Sequence, residues 1–232
     1  MPVLTASNES MSCRPIGVAI GGVINLSTAR LEEEGKRYTY AAEYGSYDTA
    51  SVSFNYLQKT ERADISFSLS HIKTNGFSAA DENEGNTEAD GYEGTTAVWS
   101  GSFRATDALT LGATLLYMDS DSNIDAFGGA FGDADRPFSN TRKAARVFAQ
   151  YDGDVVNHGF AISHVSNLTL DPLGFTPEFD GDRTEFDYTG NTNFGGGLLS
   201  FGLTHSIERA KFSGTQVEYD SSAIFAEYAT PL

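Results

Sequence analysis

Strict alternation of polar and apolar residues runs through most of this chain, and it limits the fold more sharply than any other feature. In "DTASVSFNYLQK", Ala50, Val52, Phe54 and Tyr56 alternate with Thr49, Ser51, Ser53 and Asn55. In "ADISFSLSHI", Ile65, Phe67, Leu69 and His71 alternate with Ser66, Ser68 and Ser70. "TTAVWSGSFR" places Ala97, Trp99, Gly101 and Phe103 on one parity, and "LTLGATLLYM" does the same with Leu109, Leu111, Ala113, Leu115 and Tyr117. "ARVFAQY", "GFAISH", "LLSFGLTHS" and "SSAIFAEYA" repeat the pattern. Successive side chains of a strand point to opposite faces, so each segment is an amphipathic β-strand. Several run to ten residues or more. Soluble strands average about five or six residues, whereas a tilted strand needs about nine to eleven to cross a bilayer.

Breaks in the alternation fall at 45–47, 60–63, 75–91, 106–108, 119–141, 152–154, 169–182, 194–197 and 211–219. After the first two, long and short breaks alternate. Alternate turns of a meander lie at the same end, so one end carries tight turns and the other long loops rich in Asp, Glu, Asn and Gly. Outer-membrane barrels sort their connections this way, and a soluble sandwich has no reason to. The expected fold is all-β: an antiparallel up-and-down transmembrane barrel wall of about ten strands. Phe54, Phe67, Trp99, Phe103, Leu111 and Leu115 are expected to face lipid. Tyr38, Tyr40, Tyr56, Trp99 and Tyr117 are candidates for an interfacial girdle.

Several function classes fall away. A formal charge of -17 disfavours nucleic acid, whose phosphates it repels. Cys13 is the one cysteine, which permits no intrachain disulfide. His71, His158, His164 and His205 are scattered without metal-ligand spacing. No run of eighteen apolar residues suggests a membrane helix, and "MPVLTASNESMSCRP" has no basic segment followed by an apolar one, as a leader would. The motifs of hydrolases, zinc proteases and phosphate-binding loops are missing, so no enzymatic activity is expected.

The segment "AIGGVINLST", residues 19–28, resembles the close of the plug domain in TonB-dependent outer-membrane receptors, just before their first barrel strand. Ala19, Gly21, Gly22, Asn25 and Thr28 carry the match at this plug–barrel junction. Paired glycines allow a close approach of plug and wall. Within that family the order of "TNGFSAADENEGNTEADGYEG", "TDALTLGATLLYMDSDSNIDAF" and "NTRKAARVFAQYDG" is most similar to the cobalamin receptors. The resemblance covers residues 17 to about 230. It implies that residues 1–30 end a plug and residues 31–232 begin a barrel. It also implies a Gram-negative outer membrane, contact with lipid, TonB as the energy-coupling partner of the full-length receptor, and import of a scarce, bulky nutrient. Cobalamin is the first expectation; an iron chelate such as a siderophore or haem, or a non-transporting barrel or adhesin, are the alternatives. The missing TonB box and terminal aromatic point to a fragment.

Acidic loops hold the candidate site. Asp81, Glu82, Glu84, Glu88, Asp90 and Glu93 crowd one loop, and Asp119, Asp121, Asp125, Asp133 and Asp135 the next. Hard oxygen ligands at this density suit Ca²⁺, although acidic loops also simply face water. The resemblance narrows the metal set to Glu88, Asp90, Asp125 and Asn140; Glu88 and Asn140 stand where the family carries Asp and an acidic residue.

Overall fold

The computed structural model describes residues 29–78, 89–125 and 136–230. They form ten strands: β1 (Gly35–Gly45), β2 (Thr49–Lys59), β3 (Ala63–Thr74), β4 (Tyr92–Arg104), β5 (Leu109–Ile124), β6 (Arg136–Asp152), β7 (Asn157–Leu170), β8 (Glu178–Phe194), β9 (Gly197–Phe212) and β10 (Thr215–Ala229). Each pairs antiparallel with its sequence neighbours, giving one ten-stranded sheet in the order β1 to β10. The up-and-down meander read from the alternation is the observed topology. Among the described residues none is helical.

The register fixes which side chains share a face. Directly paired residues of antiparallel strands lie on the same side. One row therefore crosses the sheet as Tyr38, Tyr56, Phe67, Trp99, Leu115, Ala145, His164, Thr184, Ile207 and Asp220. A second row runs Phe103, Leu111, Ala149, Phe160, Tyr188, Leu203 and Ile224. Phe54 pairs with Leu69 and belongs to the same face, so all six positions expected to face lipid lie on one side, with the five girdle candidates. We call this the outer face. The opposite parity presents Ser51, Ser53, Ser66, Ser68, Ser70, Thr96 and Ser100, and is the lumen face. Ser66 and Ser100 share a hydrogen bond of 2.7 Å across it.

Little of the apolar surface is covered. Among the described residues Ala161 is the one buried hydrophobic residue, whereas Tyr40 is 72% exposed, Leu115 49% and Ile224 88%. A sheet that stacks on a second sheet buries its apolar face; this one leaves it bare, which in water would be strongly unfavourable. Small covered spots do exist on the lumen face. The Phe148 ring lies over Gly112, where any Cβ would stand 2.2 Å from it, and Phe225 covers Gly202 in the same way.

Connections differ from the expected ones at two places. The long break expected at 211–219 is a tight hairpin at Ser213 and Gly214, with φ of 47° and 78°. Positive φ at both turn positions matches the right-handed twist of the flanking strands. The break expected at 119–141 is mostly strand, because β5 runs to Ile124 and β6 begins at Arg136. All the long connections nevertheless fall at one end, the rim, at 75–91, 125–135 and 171–177. The other end has only the short turns 60–62, 105–108, 153–156 and 195–196.

Among the described residues β1 and β10 pair with no further strand and not with one another, so the described sheet is an open wall with two edges. In hydrocarbon each unpaired backbone group costs several kcal/mol. Residues 1–232 expressed alone should therefore aggregate or be degraded. A monodisperse, protease-resistant species in detergent would contradict this. In an assembled barrel containing this wall, Phe67→Arg should cost about 2–4 kcal/mol if it lies near mid-bilayer, and Ser66→Arg far less. Equal recovery of both variants from the membrane fraction would show the facing to be wrong.

Candidate functional site

The rim is where the sequence concentrates its acidic residues, and strand parity divides them there. Asp119 and Asp121 lie within β5 on the outer face, where Thr141 Oγ1 donates to Asp119 (2.6 Å) and Ser139 Oγ donates to Asp121 (2.5 Å). Glu93, also on the outer face, accepts a 2.8 Å hydrogen bond from Lys73 Nζ. That bond and the lysine's charge hold the Glu93 carboxyl below its ordinary value. These three acids are turned away from the lumen and engaged with the neighbouring strand.

Asp90 and Asp125 are placed differently. Asp90 precedes the start of β4 and Asp125 follows the end of β5, on adjacent strands of the same rim. Backbone bonds hold this corner: Asn123 N donates to Gly91 O (2.9 Å), and Asp90 N donates to Phe77 O (3.3 Å). Gly76 takes φ of +69°, and a Cβ there would stand 2.0 Å from the Asp90 carbonyl oxygen, so the two arms of the 75–91 connection meet at a glycine. Among the described residues, Asp125 Oδ1 is a buried carboxylate oxygen without a hydrogen-bond partner. A negatively charged oxygen in that position is costly unless something supplies positive charge or a donor.

Asn140 lies deeper, on the lumen face of β6. Its Nδ2 donates to Thr169 Oγ1 (2.8 Å) and Asn167 Oδ1 (3.2 Å) on β7. It is four positions along β6 from Arg136, whose partner Ile124 ends β5, so about 13 Å of strand separates it from that corner. The structure brings Asp90 and Asp125 to one rim and leaves Asn140 below them. Glu88, Asp81, Glu82, Glu84, Asp133 and Asp135 lie outside the described residues, as do Ala19, Gly21, Gly22, Asn25 and Thr28 of the junction motif. Among the described residues no group of three His, Cys, Asp or Glu side chains is placed to share a metal ion.

One rim contact was not legible in the sequence. The Arg136 guanidinium at the start of β6 grips the Asp171 carboxylate in the 171–177 connection with both Nε (2.8 Å) and Nη2. This fork pins that connection over the mouth of β6 and raises the arginine further above its ordinary value. The two residues are far apart in sequence and their flanking letters carry no pairing signal; only the β6–β7 register brings them together. In the assembled barrel, Asp171→Ala should free the 171–177 connection. Limited proteolysis would then cut there faster, with the rest of the wall unchanged, and an unaltered cleavage rate would show that the fork does not hold it.

No protein-family model matches the sequence, and no curated protein does. Among solved structures the chain is similar to that of the ferric citrate transporter FecA in the unliganded form, with 11% identity and a TM-score of 0.49. The similarity covers 82% of this chain and 35% of that one, so the chain spans about a third of that transporter's length.

Proposed function

We propose that this chain is part of the barrel wall of a TonB-dependent outer-membrane receptor that imports a scarce, bulky nutrient across the outer membrane of a Gram-negative bacterium. The observation that carries this reading is the single-layer sheet itself. Ten long antiparallel strands present an apolar outer face, uncovered among the described residues, and a hydroxyl-rich lumen face, and their long connections collect at one end. A bilayer is the solvent in which that outer face is stable. The segment Ala19–Thr28, which resembles a plug–barrel junction, precedes the first strand and favours a plugged receptor over an empty porin. Energy coupling would come from TonB acting on the full-length receptor.

Cobalamin is the ligand we favour, on the resemblance of the rim connections and their flanking strands to those of cobalamin receptors. In this reading Ca²⁺ stiffens the rim, held by Asp90 and Asp125 with Glu88, while Asn140, about 13 Å of strand below, is too far to join them. The buried Asp125 Oδ1 supports a cation there.

Two measurements test the proposal separately. Cells lacking their own cobalamin receptor should take up labelled cobalamin when given the complete receptor containing this wall, and only with functional TonB. Uptake of an iron chelate instead would reassign the ligand, and no uptake of either would remove the transport reading. For the ion, titration calorimetry on the purified receptor should show Ca²⁺ binding weakened about tenfold or more by Glu88→Ala with Asp90→Ala, since affinity follows the number of charged ligands. Unchanged binding would return the acidic loops to a solvated surface.

A further inference from the structure

We propose that Arg142 and Arg146, on the lumen face of β6, bind an oxyanion carried by a small ligand, a carboxylate or a phosphate group. The inference rests on the receptor reading above and adds a ligand chemistry and a place on the wall to it.

Strand parity sorts charge across the middle of the wall. From β4 to β7 the lumen face carries Arg104, Arg136, Arg142 and Arg146, and its acidic residue is Asp152 at the short-turn end. Glu93, Asp119 and Asp121 of the same strands face outward. The whole chain has 32 Asp and Glu against 15 Lys and Arg, so an unsorted face would carry more acids than bases. On this face the ratio is reversed.

The arginines differ in what holds them. Arg136 is taken up by Asp171, Arg183 by Glu208 (3.0 Å) and Arg209 by Glu218 (2.6 Å). Arg142 Nε reaches only Asn167 Oδ1, at 3.4 Å, and Arg146 Nη1 only Ser163 Oγ, also at 3.4 Å. These are long bonds to neutral acceptors, and both side chains are exposed. Asn167 and Ser163 are the β7 residues directly paired with the two arginines, so both guanidinium groups lean the same way, over β7. Ala144 and Val165, a directly paired couple, lie between them and put no long side chain in the gap. The prongs stem from positions about 13 Å apart along the strand.

The ladder rows show how far any carboxylate is. Arg142 stands in the row Ser70, Thr96, Met118, Arg142, Asn167 and Gly181, which runs on to Ala210 and Val217 without an acid. In the Arg146 row the carboxylate is Glu185, two strands or roughly 10 Å away and already engaged with Arg183. On the other side Arg146 is paired with Thr114, which lines a small cavity beneath residues 30 and 31 together with Ser66, Ser100 and Ser102. Those hydroxyls are donors within the reach of an anion that the arginine attracts; Asp64, on β3, closes the far side of the cavity.

The chemistry of the occupant follows from charge and shape. A concave low-dielectric wall lined by one sign of charge focuses its field, and pore faces lined by arginine and lysine favour anions and phosphate. The planar guanidinium matches carboxylate and phosphate with two parallel N–H donors. A neutral ligand would leave both charges unmatched.

The test uses the complete receptor containing this wall, purified from the membrane fraction, with phenylglyoxal as the guanidinium reagent and labelling mapped by mass spectrometry. Arg142 and Arg146 should label readily, and inorganic phosphate or succinate should slow both, whereas glycerol should not. Arg209, on the outer face and held by Glu218, is the reference whose rate should not respond. Protection by phosphate alone assigns phosphate chemistry, and protection by succinate alone assigns carboxylate chemistry. Equal protection by chloride at matched ionic strength would reduce the effect to screening and overturn the proposal. Failure of either arginine to label without added anion would overturn it too, because another part of the polypeptide would then cover them. Equilibrium dialysis gives a second reading: R142Q/R146Q should bind the protecting anion about tenfold or more weakly, the worth of one charge-assisted hydrogen bond, and R142K/R146K should lose less. Unchanged affinity in the glutamine variant would overturn the proposal. Protection without TonB-dependent uptake of either nutrient would keep the anion site and remove the transport reading, so the two failures are distinct.

Discussion

The backbone ladder from β1 to β10 is the constraint on which everything else in this wall depends. In a bilayer no water is available to hydrogen-bond amides, so each strand must satisfy its neighbours completely across the apolar band. That requirement explains why the strands are long, why the meander never crosses over, and why pairing passes from each strand to the next in sequence. It also explains why the two free edges are the weak points. The ladder is the shared frame that sets the height of every side chain, because register alone decides which residues stand at one level.

A sheet of this kind does not need a core, and among the described residues it has almost none. Its stability comes from matching each face to its surroundings: aromatic and aliphatic side chains outward, serine and threonine toward the lumen. Cross-strand contacts reinforce the outer face, as where the Tyr38 and Tyr56 rings lie 5.0 Å apart and the Tyr40 and Phe54 rings 5.1 Å. Toward the rim the strands continue as a polar collar, where ion pairs such as Arg209 with Glu218 take over from apolar packing. The collar turns segments that read as loops into ordered walls. It carries Asp119 and Asp121 onto the outer face and so reduces the number of acids that could share an ion at the mouth.

Residues near the rim thus acquire different roles from the same composition. Asp125 and Asp119 are six positions apart in one acidic stretch, yet one ends at a corner with a buried oxygen that has no partner among the described residues, and the other accepts a hydroxyl on the outside. The histidines show the same effect. Scattered along the chain without a recognisable spacing, His71, His164 and His205 each stand directly across the ladder from a threonine or serine.

The amino-acid sequence by itself determined the strand content, the two faces and the meander, because the period-2 pattern of serine against phenylalanine or leucine is a local property that survives in any pairing. It also located the rim through the acidic, glycine-rich breaks. The turn at Ser213 and Gly214 and the polar strand segments at 119–124 and 136–141 were hidden, since charged letters in a collar look the same as charged letters in a loop. The Arg136–Asp171 fork and the depth of Asn140 were decided only by the tertiary structure. Each depends on the pairing register between neighbouring strands, which leaves no mark on the sequence of either strand alone.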